Sequence, residues 1–440
     1  MLMSESIRSY GKRFIYLNIW EDPQKPFTHI WPMLIPASLL SLVEVGLCNC
    51  DWVITRPHVL FFDFLSAYTS VTSLNIRQCR FRSIAELHRI SKALPSLEDL
   101  FLMDVTLQHP LVPVSASRYG PSSRNKLKKV ALRTDCSTSE LGAHHQFLLI
   151  VCAMYSYVTE LSLDLGSYSS FSHLHQFLCR FPHLSNLSLQ NPFRSHVEPA
   201  SAADVALYTA HAPNSSLSEF ELSFVHASWQ LQLLNLMLTP QACSQLEGLQ
   251  LYSTHRDGPC TELVPRVTEI LHLAGAGLKK FQWRCDLAHD LIHDVVPRIT
   301  ANTSLTNLVI YFDSVDPSLP RIQGYLGALL SDIQSPHLER LEIWIMMSDS
   351  ETSEDGDEAS VSETYPPGST STFHTILSRS VFDRLPALRA SQQLYEAAVL
   401  VVLVGMNAQT ATMSAIKPHI TTLFAPWLDR RVLWLDFQLF

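Results

Sequence analysis

Two histidines one helical turn apart form the pattern in this sequence that comes closest to a metal site. His289 and His293 stand four residues apart, and Asp290 takes the place where a zinc protease has its general-base glutamate. A catalytic zinc ion needs a third protein ligand in a cleft, and the sequence indicates none. In the alternative interpretation both histidines lie on the polar face of an amphipathic helix, with Leu291 and Val295 packed inward. We favour this second interpretation.

Other residues that could bind a metal ion or act as nucleophiles carry weaker signals. Cys48 and Cys50 lack the second cysteine pair of a zinc site, and the run Cys48–Asn49–Cys50 alternates sides of a predicted strand. The nucleophile elbow G-x-S-x-G, the Walker loop and G-x-G-x-x-G do not occur. We therefore predict no catalytic residue, no metal ligand and no cofactor, and expect that the protein is not an enzyme. The remaining histidine pairs, interpreted as surface residues, are His144–His145 and His173–His175.

A short phrase of apolar residues recurs along the chain and must organise the fold. Its clearest copy, 97–102 (LEDLFL), is apolar at the first, fourth and sixth places. Successive copies begin 26 to 33 residues apart, and a period of about 29 residues predicts a solenoid built from strands packed on their neighbours. The first apolar residues of the twelve copies are Phe14, Leu42, Val71, Leu97, Leu127, Val158, Leu184, Leu217, Leu246, Leu278, Leu305 and Leu338.

Amphipathic stretches between the phrases predict helices. Strands that alternate with helices predict the α/β class, here a leucine-rich-repeat solenoid with a parallel inner sheet and outer helices. The apolar run 397–406 is about half as long as a bilayer requires and predicts a buried helix. The predicted helices cover 83–94, 145–155, 172–181, 229–238, 262–273, 287–299 and 321–333.

Composition shifts divide the chain into three predicted parts. Residues 1–347 form the array of about twelve units. Residues 348–372 are predicted to form an acidic disordered loop, because 349–363 carries seven acidic residues and no basic one. Residues 373–440 hold degenerate repeats and a C-terminal closing unit, in which Val432, Leu435 and Phe437 restore the spacing. The first phrase starts too early for a capping unit, so we expect an upstream domain or a partner to cover that edge.

The charge balance and the cysteines limit the possible function. The chain of 440 residues has a net charge of −9, with 32 basic and 41 acidic residues, which is unlike a nucleic-acid binder. Nine scattered cysteines and the absence of a secretory apolar region predict a reduced chain, cytoplasmic or nuclear, with no membrane contact.

The repeats resemble those of intracellular leucine-rich-repeat proteins of the ribonuclease-inhibitor and F-box kind. The phrases LEDLFLMDV at Leu97 and LSNLSL at Leu184, behind helices that end in LP or FP, are similar to those of fungal F-box/LRR-like proteins. Members of that family select substrates for Skp1–cullin ubiquitin ligases. The resemblance implies this role and a Skp1-type adaptor as partner, supplied with an upstream F-box, since we find no F-box segment here. Alternatives are a stand-alone inhibitor-type repeat protein and, least favoured, a metal-dependent enzyme.

The third, fifth and seventh residues of each phrase should point away from the core onto the concave face of the sheet. Aromatic and basic residues share these places in four successive phrases, which predicts a ladder that binds a protein or peptide carrying carboxylates or phosphates. The alternatives are rings that cover the sheet and bind nothing, and an acidic patch around Glu160 and Glu219. The predicted partner-binding residues are Tyr252, Lys280, Arg284, Tyr311, Arg340 and Trp344.

Overall fold

The chain forms two compact units, Met1–Ser216 and Leu217–Phe440. In each unit the long strands are parallel, follow one another in chain order, and alternate with helices. This confirms the predicted α/β class and the solenoid with a parallel sheet. The computed structural model describes residues 15–22, 24–35, 37, 41–108, 127–133, 157–168, 171–190, 217–254, 262–286, 296–314, 319–347, 369–387, 397–405 and 410–439.

The first unit repeats the strand at nearly constant length. Five-residue strands build its main sheet, and a two-residue ladder follows the turns after β3 and β5. The main strands are β1 (Tyr16–Trp20), β2 (Glu44–Cys48), β3 (Ser73–Arg77), β5 (Asp99–Met103), β7 (Lys129–Arg133), β8 (Glu160–Asp164) and β9 (Asn186–Gln190). The short ladder joins β4 (Arg80–Phe81) to β6 (Thr106–Leu107), and the helices are α1 (Trp31–Leu34), α2 (Phe61–Leu65), α3 (Ile84–Ala93) and α4 (Phe171–Leu178).

The second unit has longer strands and longer helices. Its strands are β10 (Glu219–His226), β11 (Gly248–Thr254), β12 (Lys280–Asp286), β13 (Asn307–Ser314), β14 (Arg340–Met347), β15 (Val399–Gly405) and β16 (Leu433–Leu439). Its helices are α5 (Ala227–Met237), α6 (Pro240–Cys243), α7 (Leu263–Ala274), α8 (Leu319–Asp332), α9 (Ser369–Leu377), α10 (Thr410–Leu423) and α11 (Ala425–Asp429).

The predicted register of the phrases is confirmed. Each of the eleven phrases from Leu42 onward has a buried first residue, and its strand starts two residues later. Fourth-place residues pair across the sheet, as Leu74, Leu100 and Val130 do. Because side chains alternate along a strand, the third, fifth and seventh residues lie on the opposite face, which we call the strand face. Phe14 lies outside the described residues.

The turn after each strand uses the eighth and ninth places of the phrase. Asn49, Gln78 and Asp104, all at the eighth place, have φ angles of 52° to 60°, a left-handed conformation that asparagine and aspartate tolerate best. At the ninth place Cys79 is fully buried, and its thiol donates to the carbonyl of Leu47 at 3.4 Å. A buried cysteine at the ninth place therefore ties the turn after β3 to the neighbouring strand β2.

The prediction of a buried helix over 397–406 is wrong, because β15 occupies this run. Val399 and Val401 are buried, as on any repeat strand, but Leu400 and Val402 on the strand face are buried as well. A strand that is apolar on both faces has no alternation of polar and apolar residues, so a short run of this kind cannot be told from a buried helix. The next strand of the sheet is β16, where Leu433 pairs with Val399; that it belongs to a closing unit stays a prediction.

Five predicted helices correspond to α3, α4, α5, α7 and α8, with ends within three residues of the predicted ones. The helix predicted over 287–299 is wrong at its end, because 296–299 is not helical, and 287–295 lies outside the described residues. The helix predicted over 145–155 lies outside them too. The helix α9 begins at Ser369, inside the range predicted as an acidic loop, and 348–368 falls outside the description. The proposed boundaries at 347 and 372 stay a prediction.

Candidate partner-binding surface

The candidate metal ligands do not form a centre in the described part of the chain. His289, His293, His144 and His145 lie outside it. Cys48 and Cys50 are buried, and the Cys50 thiol lies 3.8 Å from the carbonyl oxygen of Cys48. Over the described ranges, no group of three or more histidine, cysteine or acidic residues could hold a metal ion.

Of the second histidine pair, the side chain of His175 is the one that can be described. It is half-buried on α4, with Nε2 at 3.7 Å from the sulfur of the exposed Cys179. A histidine and a cysteine one helical turn apart make a local contact on the helix surface, which is compatible with the predicted surface role.

Three aromatic rings on the strand face of the second unit form a continuous stack, which we call the aromatic ladder: Tyr252, Tyr311 and Trp344. The Tyr252 and Tyr311 ring centroids are 5.2 Å apart with the planes tilted by 59°, and those of Tyr311 and Trp344 are 5.9 Å apart at 21°. Tyr311 and Trp344 are also register partners in β13 and β14. The structure thus brings together the three aromatic residues that the repeat spacing had placed in line.

The guanidinium of Arg284 does not stand between the tyrosine rings, as a regular ladder would have required. Arg284 is the register partner of Tyr311, yet Tyr252 reaches across β12 to contact Tyr311 directly. The Arg284 guanidinium carbon instead lies 5.8 Å from the ring centroid of Phe224, on the far side of β11. This distance is within the range of a cation–π contact. Arg284 therefore stands beside the ladder and contacts Phe224.

Phe224 is a surface residue of this site that the repeat pattern did not single out. It has φ 57° and is 46% exposed, and the pairing of β10 with β11 shifts between Ser223 and Val225 around it. A bulky residue at positive φ is a conformational outlier, and such strain concentrates at functional sites. The sequence did carry one signal, the position of Phe224: it takes the eighth place of its phrase, which holds Asn49, Gln78 and Asp104 in three successive phrases of the first unit.

The carboxylate of Glu342 organises one end of the ladder. It accepts hydrogen bonds from Arg340 Nε at 2.6 Å and from the indole N–H of Trp344 at 3.1 Å. The Glu342 side chain is only 13% exposed, so the ion pair is partly shielded from water. Glu342 thereby fixes the plane of the Trp344 ring and neutralises much of the Arg340 charge.

Lys280 is held in a similar way, across an intervening strand. Its ammonium group lies 2.9 Å from a carboxylate oxygen of Glu219, and the register places Gly248 between them. A Cβ on Gly248 would lie 3.3 Å from Cγ of Glu219, tighter than an ordinary contact. Glycine at this third place therefore leaves the gap through which the two charged side chains meet.

We predict that the coupling between Lys280 and Glu219 depends on this gap. Both side chains are well exposed, so the coupling energy from Lys280→Gln and Glu219→Gln should be about 0.2–1 kcal/mol. In a Gly248→Leu background a side chain lies between the two groups, and the coupling energy should fall to about zero. In each background, urea unfolding of the starting protein, the two single variants and the double variant gives the coupling energy. An unchanged coupling energy in the leucine background would show that the pair meets by another route.

Burial keeps the tyrosine hydroxyls of the ladder neutral. Burial is the main cause that raises the pKa of Tyr252, and Tyr311 and the carboxylates of Glu221 and Glu342 raise it further. The Tyr252 hydroxyl donates a hydrogen bond to the side-chain carbonyl of Gln282. Burial also raises the pKa of Tyr311. Both rings remain uncharged at physiological pH and present polarisable surface, not negative charge.

The alternative acidic patch is not a cluster of unpaired acids. Glu160 belongs to the first unit, where its carboxylate lies 3.0 Å from Lys129 Nζ. Glu219 belongs to the second unit and is paired with Lys280. Glu221 accepts a hydrogen bond from the Ser223 hydroxyl at 2.6 Å. These contacts favour the aromatic ladder over the acidic residues as the centre of a binding surface.

No family model matches the chain, and no curated protein matches it either. Within the described ranges, no helix combines the length and the apolar composition that crossing a bilayer requires.

Proposed function

We propose that this protein is a non-catalytic recognition scaffold that binds a protein or peptide on the strand face of its second unit. The observation that carries the proposal is the unbroken contact from Tyr252 through Tyr311 to Trp344. Tyrosine, tryptophan and arginine most often dominate the energy of protein interfaces. A partner segment with apolar or aromatic side chains would cover these rings, and Arg284 would meet its acidic groups.

The charged residues beside the ladder fit the rim of such an interface. Lys280 and Arg340 are each paired with a carboxylate of the same face, so little of their charge is left to attract a partner. Interfaces commonly place aromatic residues at the centre and polar, solvated groups around them. We therefore assign binding energy mainly to the rings, and orientation to Lys280 and Arg340.

The resemblance to F-box/LRR-like proteins supports a narrower form of the proposal. In it the scaffold selects substrates for ubiquitination and works with a Skp1-type adaptor, in the cytoplasm or nucleus. A stand-alone inhibitor would bind its target through the same surface without an adaptor. Capture of a Skp1-type adaptor by the purified chain supports the first form, and failure to capture one supports the second.

The double variant Arg284→Ala/Trp344→Ala tests the surface. Both side chains lie on the strand face, and neither belongs to the repeat core, so the thermal midpoint should change by only a few degrees. Loss of the Trp344 ring at the end of the ladder and of the Arg284 cation should reduce captured partner at least about tenfold, because interface hot spots are each worth about 2 kcal/mol or more. Affinity capture from cell lysate with quantitative mass spectrometry measures this ratio.

The matched control is Trp20→Ala/Arg384→Ala, which removes the same two residue types from exposed positions elsewhere. We expect this variant to retain the partners of the parent protein. Equal recovery of the same proteins by the parent and by Arg284→Ala/Trp344→Ala would place the binding surface elsewhere. Metal analysis of the purified protein separately tests the metal-dependent enzyme.

A further inference from the structure

Two arginines and a phenylalanine form a second surface, on the strand face of the first unit, which we call the Arg–Phe–Arg cluster: Arg77, Phe101 and Arg133. The Arg77 guanidinium carbon lies 5.4 Å from the Phe101 ring centroid, and that of Arg133 lies 5.7 Å from it. Two positive groups thus converge on one ring. Both arginine side chains are exposed, and Phe101 is half-buried beneath them.

The positive charge of this cluster is not neutralised within the described part of the chain. Neither guanidinium lies within ion-pair distance of a described carboxylate, whereas Lys129 on the same strand as Arg133 is paired with Glu160. Asp164 takes the same seventh place on the next strand, β8, but it is buried and accepts a hydrogen bond from the backbone N–H of Gly166. Asp99 stands four residues before Met103 on β5, about 13 Å along the strand from the arginine level. Like charges on one ring are unfavourable alone, and an anionic ligand would compensate them.

The two arginines are held in place but keep their terminal nitrogens available. Arg77 donates from Nε to the Asn75 side chain at 3.0 Å, and its terminal amino groups have no described partner. Such a pair of terminal N–H groups can donate to both oxygens of one carboxylate. The aromatic ring limits the motion of both guanidinium groups, which lowers the entropy lost on binding.

The spacing of the arginines selects the ligand. Arg77, Met103 and Arg133 are register partners on consecutive strands, so the Cα atoms of the two arginines are two strand spacings, or about 9.6 Å, apart. Two carboxylates at a similar spacing can therefore each meet one guanidinium. In a polyproline II segment, residues three apart lie on one side at about 9.3 Å, whereas in a β-strand they point to opposite sides.

We propose that the Arg–Phe–Arg cluster binds an acidic peptide segment in the polyproline II conformation. Two carboxylates three residues apart each engage one guanidinium, and the side chains between them cover the Phe101 ring. This site is separate from the aromatic ladder and does not depend on the function proposed for it.

The test uses a fluorescein-labelled peptide with the core Glu-Pro-Leu-Glu and the full-length chain, followed by fluorescence polarisation. We expect saturable binding that weakens as salt is raised to about 0.5 M, because exposed charges are screened. The same peptide with both glutamates replaced by glutamine, and one with adjacent glutamates, should each bind at least about tenfold more weakly.

Arg77→Ala and Arg133→Ala should each weaken binding about tenfold, and Phe101→Leu by about threefold. Lys129→Ala is the matched control, because it removes an equal charge from β7 and should change binding by less than about twofold. Arg77→Lys and Arg133→Lys keep the charge and replace the alanine variants if one of these folds poorly. Each should still weaken peptide binding, because lysine cannot bind a carboxylate through two parallel N–H bonds.

Two results would overturn the proposal. One is binding of the glutamine peptide as tight as that of the glutamate peptide, and the other is a loss in Lys129→Ala equal to that in Arg133→Ala. The Arg284→Ala/Trp344→Ala variant should bind the peptide like the parent protein. The two proposals can therefore fail independently of each other.

Discussion

Replacement of Leu100 by aspartate should destabilise the first unit by about 4 kcal/mol or more. Leu100 is 1% exposed and pairs with Leu74 and Val130 on the neighbouring strands. An aspartate there must either be buried without a partner or pull β5 away from the core. Since domains are typically stable by about 5–15 kcal/mol, this single change removes much of the margin. In a repeat protein it also weakens both neighbouring units.

The measurement is urea and thermal unfolding of the full chain, followed by circular dichroism. Asn75→Asp is the matched control, because it adds the same charge one strand away on the strand face, beside Arg77. We expect that variant to stay within about 0.5 kcal/mol of the parent protein. An unchanged transition for Leu100→Asp would mean that the fourth place of the phrase does not face the core.

Replacement of Trp427 by alanine should cost about 3–5 kcal/mol in the second unit. Trp427 is fully buried, and its ring centroid lies 5.3 Å from that of Phe382 and 5.9 Å from that of Phe424. Its indole N–H donates to the carbonyl of Leu377 at the end of α9, at 2.9 Å. One side chain thus joins α11 to the end of α9, and its removal leaves a cavity and an unpaired carbonyl.

The conservative variant Trp427→Phe separates these two contributions. It keeps an aromatic ring but loses the donor, so we expect a loss of about 1–3 kcal/mol, the cost of an unsatisfied buried group. Trp20→Ala, at a tryptophan that is 60% exposed, should cost about 1 kcal/mol or less. Chemical denaturation of Trp427→Ala, Trp427→Phe and Trp20→Ala measures the loss of unfolding free energy in each variant and so ranks the three. Equal costs for Trp20→Ala and Trp427→Ala would contradict the assignment of Trp427 to the C-terminal core.

The amino-acid sequence determined the repeat register by itself. Burial of the first, fourth and sixth places follows from the two-residue period of a strand, so Leu97, Leu100 and Leu102 could be assigned to the core without any knowledge of their neighbours. The same alternation placed Tyr311 and Trp344 on one face and next to each other. The helix at Ile84–Ala93 could likewise be predicted from its local sequence, because its apolar residues recur every three or four positions.

Only the tertiary structure decided which side chains meet on that face. The contact between Tyr252 and Tyr311, and the placing of Arg284 over Phe224, each join residues about 60 positions apart in the chain. The alternation of residues along a strand predicts to which face of the sheet a side chain points. It does not predict which side chain it contacts there, because long side chains reach beyond the nearest strand and those of several adjacent strands compete for the same contact. The type of β15 was decided in the same way: its apolar run suits a helix or a strand, and pairing with β14 and β16 settled it.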